Sequence, residues 1–417
     1  MTTSLNSNFW YDFGPRASSK MFQSSLPGTH KRKEVSPNIK HIGVILDTTR
    51  SLVSMDWLVK LSDMFGKMKF NLIQLRLVGD KGFTFRFPTQ NRFAYSMLQK
   101  PGTAELYGRQ TLQRLIRRAE RLRIEVVPEI TISTNSAGWY GSGYVVDCPN
   151  VLCKGGNIPL DLTRAQLMPL IFGVINELGK LFTSELLHLG HDDRIASRPC
   201  FEEAGINSTG VHDAFERKMR ALFVYADIPE SSLIRYVDTD LRDDGDSVGG
   251  IRHYLPNTKI DTIRTDKPFF VTADVLQGDA FDVYASTRQL VDLEPTGIVA
   301  ELRHLYPSQW NKYQIAQRIM AFSLAIHGPG RPMTRDEFVA ELKRTCLAHS
   351  FEDVDCSVFP ERTESIIDIT ETQEWFDAHC ELRTFMNEES IAKDIVRPFY
   401  NQTAQLSLLE TSVTKIS

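Results

Sequence analysis

A regular alternation of strand-like and helix-like segments constrains the fold of this chain more than any other feature. Short apolar runs typical of buried parallel strands recur along the sequence, and amphipathic segments or long loops separate them. Eight such runs within about 290 residues predict an α/β fold, and a (β/α)8 TIM barrel of typically ~250 residues is the simplest closed architecture with that count. The predicted strands are residues 41–47, 70–78, 123–130, 186–190, 234–238, 259–263, 269–273 and 297–302.

Helical periodicity between these runs supports the barrel. Ser54 is placed to cap the first helix, and Asp56 lies in its first turn. An open doubly wound sheet is the alternative. However, no G-x-G-x-x-G follows the first strand and no G-x-x-x-x-G-K-[ST] occurs, so the phosphate-binding loops expected of a nucleotide-binding sheet are missing. The predicted helices are residues 54–68, 110–122, 166–182, 211–226 and 309–326.

Two further regions flank the predicted barrel, which we assign to residues 39–330. Residues 1–38 are polar and lack periodicity, which predicts a flexible N-terminal arm. Gly328-Pro329-Gly330 breaks the chain before residues 331–417, where helices are predicted near 335–348 and 371–386. We therefore expect a C-terminal helical extension, to which the sequence assigns no chemistry.

Composition excludes several classes of protein. The 417 residues are 42% hydrophobic and 24% charged with a formal net charge of -4, which gives no electrostatic basis for binding nucleic acid. No apolar run is long enough to span a bilayer, so no membrane span is expected. The N-terminus lacks the basic-then-apolar order of a secretory signal, which predicts a cytoplasmic location for the sequence as written.

The cysteines predict no disulfide framework. There are six of them, which is sparse in a chain of this length, and none forms a C-x-x-C pair. Cys148 and Cys153 lie close enough in one loop to form a disulfide in an oxidising compartment. We expect free thiols.

The stretch Ser184–Arg194, SELLHLGHDDR, is the first candidate for a functional site. Its apolar run stops at Gly190 and leads into His191 and two adjacent carboxylates, as a buried parallel strand does when it ends at a reactive edge. Ligands bind at the carboxyl ends of such strands in barrels, because the loops leave the core there. The alternative is that the Asp192–Asp193 pair caps a helix or lies in a solvated turn.

Polar residues at the ends of the other predicted strands should point to the same barrel mouth. Carboxylates with a few arginines suit a neutral, polyhydroxylated substrate, because Arg and Asp form paired hydrogen bonds to adjacent hydroxyls. His188-x-x-His191 with Asp192 could be argued as a metal site, but residues three apart on a strand point to opposite faces, so neither a metal nor a cofactor is expected. The candidates are Asp47, Arg50, Arg76, Asp80, Glu129, His188, His191, Asp192, Asp193, Asp238 and Glu301.

Four segments together resemble the successive signatures of the family 20 glycoside hydrolases, the β-N-acetylhexosaminidases. They occur in the family's order and spacing, and the resemblance covers roughly residues 40–330, most strongly in the first half. The segments are GVILDTTR (43–50), GDKGF (79–83), EVVPEI (125–130) and LFTSELLHLGHDD (181–193).

The resemblance implies removal of terminal N-acetylhexosamine from glycans or glycoconjugates by a substrate-assisted, retaining mechanism. Arg50 would bind hydroxyls of the terminal sugar, and Asp192 would orient the 2-acetamido group, whose carbonyl oxygen attacks the anomeric carbon. Asp193 would be the general acid that protonates the leaving oxygen and later activates water. The other predicted substrate-binding residues are Asp47, Asp80, Glu129 and His188, with Tyr236, Tyr284 and Trp310 as remnants of the family's aromatic pocket.

The chain also departs from the family's pattern within these motifs. Asp193 stands where the family has Glu, which shortens the general acid by one methylene. The second motif reads Gln74-Leu75-Arg76, and Thr131 and Asn135 replace the Asp and His that follow the third. A catalytically impaired or inactive barrel that binds carbohydrate or protein is therefore the alternative function. Most members of the family act in secretory or lysosomal compartments or outside the cell, which would apply here if the N-terminus is incomplete.

Overall fold

The structure, a computed structural model, describes most of the predicted barrel and the first helix beyond it. The predicted arm at residues 1–38 and the helix predicted near 371–386 lie outside the described residues. The described residues are 39–49, 54–79, 84–86, 107–139, 144–148, 150–151, 157–164, 167–190, 194–237, 249–256, 258–275, 278–302, 312–349 and 356.

Eight parallel strands close into a barrel in sequence order. They are β1 His41–Asp47, β2 Leu72–Val78, β3 Glu125–Ile130, β4 Leu187–His188, β5 Leu233–Tyr236, β6 Ile251–Tyr254, β7 Phe269–Asp274 and β8 Gly297–Leu302. Each strand pairs with the next, and β8 closes the barrel on β1. The predicted (β/α)8 architecture is therefore confirmed.

The sixth strand is not where the sequence predicted it. Residues 259–263 were expected to form it, but Ile260–Thr262 form an exposed 3-10 turn and β6 lies earlier, at Ile251–Tyr254. Ile260 and Ile263 are three residues apart, a spacing that fits a helical turn and not one face of a strand. The prediction was wrong because β6 is only four residues long and carries two polar side chains, Arg252 and His253.

Helices lie between the strands and after the last one. Ser54 caps the first of them as predicted, since its Oγ accepts a hydrogen bond from the backbone N–H of Trp57 at 3.3 Å. The fourth and sixth helices were not predicted. The described helices are α1 Met55–Lys67, α2 Arg109–Arg121, α3 Leu167–Leu181, α4 Arg194–Glu203, α5 Ser208–Tyr225, α6 Ala280–Val291, α7 Lys312–His327 and α8 Arg335–His349. Over the part of the chain that the structure describes, no helix is long and apolar enough to cross a membrane.

Two layers of side chains fill the barrel, one apolar and one polar. Residues i and i+2 of a strand share a face, so each strand can contribute one side chain to each layer. The apolar layer is a buried cluster of Ile45, Leu72, Val127, Ile234, Ile251, Phe270 and Val299, with Leu186 packed against it. The residues two positions later form the polar layer, which comprises Asp47, Gln74, Glu129, His188, Tyr236, His253, Thr272 and Glu301.

Two disulfides contradict the expectation of free thiols. Cys148 is bonded to Cys200 of α4, and Cys346 of α8 is bonded to Cys356. Cys153, the partner considered for Cys148 from sequence proximity, lies outside the described residues. Disulfides persist mainly in oxidising compartments, and the cytoplasmic location expected from the sequence stays a prediction.

Candidate active site

Arg76 of β2 lies two residues beyond Gln74 and is the hub of the polar layer. Its Nη1 donates to Asp47 Oδ2 of β1 at 2.7 Å, its Nε donates to Glu129 Oε1 of β3 at 2.7 Å, and its Nη2 donates to the Tyr236 hydroxyl oxygen of β5 at 2.9 Å. Glu301 Oε1 of β8 lies 3.6 Å from Nη1. One guanidinium on β2 therefore joins side chains from four other strands.

Because the Arg76 cluster is buried, its charged groups shift one another's pKa strongly. Burial lowers the pKa of Arg76, but the charges of Glu129, Tyr236, Asp47 and Glu301 raise it more, so Arg76 stays charged with a pKa well above its usual value. Burial raises the pKa of the Glu129 carboxyl, and Arg76 and the hydrogen bond from Gln74 offset part of that rise. Three buried carboxyl groups surround this one cation, so the cluster depends on the positive charge of Arg76 for its stability.

Gln74 links the Arg76 cluster to the neighbouring strands. Its Nε2 donates to Glu129 Oε2 at 2.6 Å and to the Tyr236 hydroxyl oxygen at 3.0 Å. Its Oε1 is buried and has no hydrogen-bond partner among the described residues. On the other side, Asp47 Oδ1 accepts from the backbone N–H and the hydroxyl of Thr49 at 2.9 and 2.7 Å, which fixes the chain just before Arg50.

A second set of polar side chains runs across the other half of the barrel. His188 Nε2 lies 2.9 Å from His253 Nδ1, and His253 Nε2 lies 2.8 Å from Thr272 Oγ1. The backbone N–H of Gly190 donates to His188 Nδ1 at 3.0 Å. All three side chains are buried. Burial, together with the positive charge of Arg76, lowers the pKa of His253 to about 3, so this ring is neutral at ordinary pH.

Gly190 is held in one backbone conformation at the end of β4. Its φ is 74°, a value that favours glycine, and a Cβ there would lie 2.5 Å from Thr131 Cα. Thr131 is held in turn, because its carbonyl oxygen accepts from Trp139 Nε1 at 2.8 Å. The Gly190 carbonyl oxygen accepts from the backbone N–H of Tyr236 at 3.1 Å. The chain therefore leaves the barrel towards His191 from a fixed point.

The structure brings four of the predicted site residues together. Asp47, Glu129, His188 and Tyr236 all belong to the buried polar layer at the carboxyl ends of the strands. Their contacts above are with other protein groups, and their contact with a substrate stays a prediction. The predicted site residues Arg50, Asp80, Asp192, Asp193 and Trp310, with the candidates His191 and Asp238, lie outside the described residues.

Tyr284 lies elsewhere in the structure. It belongs to α6, where its ring packs against Phe338 of α8 with centroids 5.1 Å apart, and its hydroxyl oxygen accepts from the backbone N–H of Met333 at 3.0 Å. These contacts join α6 to α8 on the outside of the barrel. The structure therefore does not bring Tyr284 to the polar layer, in contrast to its prediction as a pocket residue.

Three members of the polar layer were not predicted from the sequence. His253 was missed with its strand, and Gln74 and Thr272 were not considered as site residues. A usable signal existed, because each of the three follows an apolar residue two positions earlier, namely Ile251, Leu72 and Phe270. This apolar-then-polar spacing marks the inner face of a barrel strand near its mouth. Among the described residues, no group of three or more His, Cys, Asp or Glu side chains is arranged to hold a metal ion.

Comparison with known proteins by sequence gives one family. Residues 39–219 match the model of the family described as glycosyl hydrolase family 20, catalytic domain. The chain is 26% identical over 160 residues to beta-hexosaminidase 1 of Arabidopsis thaliana, and 24% identical over 166 residues to beta-hexosaminidase subunit beta of Mus musculus. These matches cover 38% of this chain and 28% and 30% of those proteins, so the chain spans less than a third of the length of the curated relatives it matches.

Comparison with solved structures gives the same fold. An exo beta-N-acetylglucosaminidase of family 20 from Vibrio harveyi, solved with N-acetylglucosamine, aligns with a TM-score of 0.58 at 13% identity, over 76% of this chain and 58% of that one. A beta-N-acetylhexosaminidase from Bacteroides fragilis aligns with a TM-score of 0.57 at 16% identity, over 78% and 75% of the two chains. At these identities the likeness shows the fold.

Proposed function

We propose that the barrel removes terminal N-acetylhexosamine from glycans or glycoconjugates by substrate-assisted hydrolysis, because residues 39–219 match the catalytic-domain model of glycosyl hydrolase family 20. The observation that carries the proposal is the family match, which extends through β1 to β4 and includes Asp192 and Asp193 directly after β4. The similar proteins are named beta-hexosaminidases and beta-N-acetylhexosaminidases, and for this chain glycans with terminal N-acetylhexosamine are the proposed substrates.

In the proposed reaction the substrate supplies its own nucleophile. The carbonyl oxygen of the 2-acetamido group attacks the anomeric carbon, and the glycosidic C–O bond breaks as Asp193 donates a proton to the leaving oxygen. Asp192 orients the acetamido group and stabilises the positive charge that develops on it. Water then attacks the anomeric carbon as the bond from that carbon to the acetamido oxygen breaks, and Asp193 takes up the proton of the water. The sugar leaves with its original configuration and an intact acetamido group.

The described residues at the carboxyl ends of the strands support this proposal. Active sites of (β/α)8 barrels lie at the carboxyl ends of the strands, which is where Asp47, Glu129 and His188 cluster. Gly190, two residues before Asp192, is fixed by Thr131 and by hydrogen bonds to His188 and Tyr236. A fixed starting point for the segment that carries the acid favours catalysis, because a misplacement of about 1 Å can cost on the order of a hundredfold in rate.

A non-catalytic, carbohydrate-binding or protein-binding barrel is the second candidate. The observation that favours it is that side chains of the polar layer and Arg76 hydrogen-bond to one another. Gln74 Nε2 and three nitrogens of Arg76 donate to Asp47, Glu129 and Tyr236, so these donors are already committed. The shortened acid at Asp193 points the same way.

Hydrolysis of an aryl N-acetyl-β-glucosaminide by the wild type and by Asp193→Ala tests the proposal. We expect slow but measurable release of the aryl group by the wild type and a loss of at least a hundredfold in the variant, since general acid catalysis typically contributes about 10²- to 10⁴-fold. Binding of N-acetylglucosamine should be retained by both proteins. Equal rates in the two proteins, or none in either, would favour the binding barrel.

A further inference from the structure

We infer that His253 of β6 and Thr272 of β7 are positioning residues for the proposed hydrolysis. Through His188 of β4 they fix the Gly190 peptide, from which the chain proceeds to Asp192 and Asp193. The catalytic consequence of this inference rests on the proposed function. Neither His253 nor Thr272 belongs to the segments that carry the family resemblance.

The hydrogen bonds run in one direction only. Gly190 N–H can only donate, so His188 Nδ1 must accept and carries no proton. The proton of the neutral His188 ring is therefore on Nε2, which donates to His253 Nδ1 at 2.9 Å. His253 then carries its proton on Nε2 and donates to the hydroxyl oxygen of Thr272 at 2.8 Å. The geometry assigns both rings the same tautomer.

This series of hydrogen bonds requires both histidine rings to be neutral. A proton added to His253 Nδ1 would face the Nε2–H of His188. If His188 responded by moving its own proton to Nδ1, that proton would face the N–H of Gly190. A change at either end is therefore transmitted along the whole series, from Thr272 to the Gly190 peptide.

The groups packed around His253 keep it neutral. The ring of Tyr236 from β5 stacks on it with centroids 4.5 Å apart, and His188 from β4 and Thr272 from β7 occupy its two nitrogens. Full burial is the larger effect that disfavours a positive charge on this ring, and the positive charge of Arg76 of β2 adds to it. The Nε2–H tautomer therefore persists across the pH range of an enzyme assay.

Removal of the Thr272 hydroxyl on β7 should therefore have an effect three strands away, at the end of β4. In Thr272→Val the buried His253 Nε2–H loses its acceptor. Because Nδ1 of each ring must still accept a hydrogen bond, the His253 ring moves while its tautomer is kept, which weakens its bond with His188 and displaces the Gly190 peptide. We expect kcat to fall on the order of tenfold with KM within about twofold, because the segment that carries the acid is displaced while sugar contacts remain. Thr272→Ser, which keeps the hydroxyl, should retain wild-type kcat.

The matched control is Thr287→Val on α6. Thr287 is also buried, and its hydroxyl has no hydrogen-bond partner among the described residues. The same substitution there removes a hydroxyl that lies outside the His188–His253–Thr272 series. We expect unchanged kcat and unchanged ring nitrogen resonances of His188 and His253 in Thr287→Val.

Nitrogen-15 NMR of the histidine rings, with the His253→Gln spectrum as an aid to assignment, reads the tautomers without any turnover. The wild type should show His188 and His253 neutral and protonated at Nε2. Thr272→Val should keep both tautomers but shift the ring nitrogen resonances of His188, because its hydrogen bonds to His253 and Gly190 weaken. Any other tautomer in the wild type, or unchanged His188 resonances in Thr272→Val, overturns the inference. Absence of turnover in the wild type would instead count against the proposed hydrolysis, and the NMR result would still decide the positioning of Gly190.

Discussion

Replacement of Arg76 by methionine should lower the free energy of unfolding by about 3 to 5 kcal/mol at pH 7, as is typical when one partner of a buried ion pair is removed. Arg76 is only 11% exposed and donates to Asp47, Glu129 and Tyr236. Methionine keeps much of the side-chain volume but leaves the buried carboxylates of Asp47 and Glu129 without their cation. Urea denaturation of the two proteins measures the difference.

Arg114→Met is the matched control for this prediction. Arg114 also forms an ion pair, with Asp56 at 2.6 Å, but the two side chains are 63% and 70% exposed. A solvent-exposed pair contributes about 0 to 1 kcal/mol, so the control should be close to wild type. The deficit of Arg76→Met should also shrink as the pH falls, because protonation of Glu129, whose pKa burial already raises, removes an unpaired charge. If Arg76→Met were as stable as the control at pH 7, the assignment of Arg76 as the hub of the polar layer would be wrong.

Asp193→Glu should raise kcat/KM for an aryl N-acetyl-β-glucosaminide by on the order of ten- to a hundredfold, because the added methylene brings the acid closer to the position that the family's Glu occupies. The prediction follows from the family resemblance, since Asp193 lies outside the described residues. Asp261→Glu, on the exposed 3-10 turn before β7, is a control for the same change in side-chain length and should leave the rate unchanged.

A rate for Asp193→Glu equal to that of the wild type would locate the defect elsewhere in the site. The residues to examine would be Thr131 and Asn135, which replace the Asp and His of the family's third motif. Thr131 packs against Gly190, and Asn135 has a positive φ of 50° with its N–H donating to Asn157 Oδ1 at 2.6 Å. Both residues therefore already contact other parts of the protein.

Much of the barrel could be predicted from local sequence. β1 and β8 have the predicted bounds, because each is a run of buried residues of ordinary strand length. β6 was misplaced because four residues with two polar side chains give no periodicity to detect, and its identity depends on pairing with β5 and β7. Short inner strands of this kind are specified by their neighbours, which local sequence does not reveal.

The candidate site was predictable to the extent that it follows strand ends. Asp47, Glu129 and His188 were found because they close apolar runs. The role of Arg76 as a hub was not, since it depends on distances to Glu129 and Tyr236, 53 and 160 positions away in the sequence. The Cys148–Cys200 bond was missed for the same reason, because its partners are 52 residues apart and meet only in the fold.

The stereochemistry of the first-formed sugar tests the central claim most directly. We propose that the substrate's 2-acetamido oxygen forms the first new bond to the anomeric carbon and that water forms the second, so two inversions leave the configuration unchanged. Proton NMR during hydrolysis of an aryl N-acetyl-β-glucosaminide should therefore show β-N-acetylglucosamine before mutarotation produces the α form. The α anomer as first product would indicate direct attack by water and contradict the mechanism, and the absence of released N-acetylglucosamine would contradict the proposed hydrolysis itself.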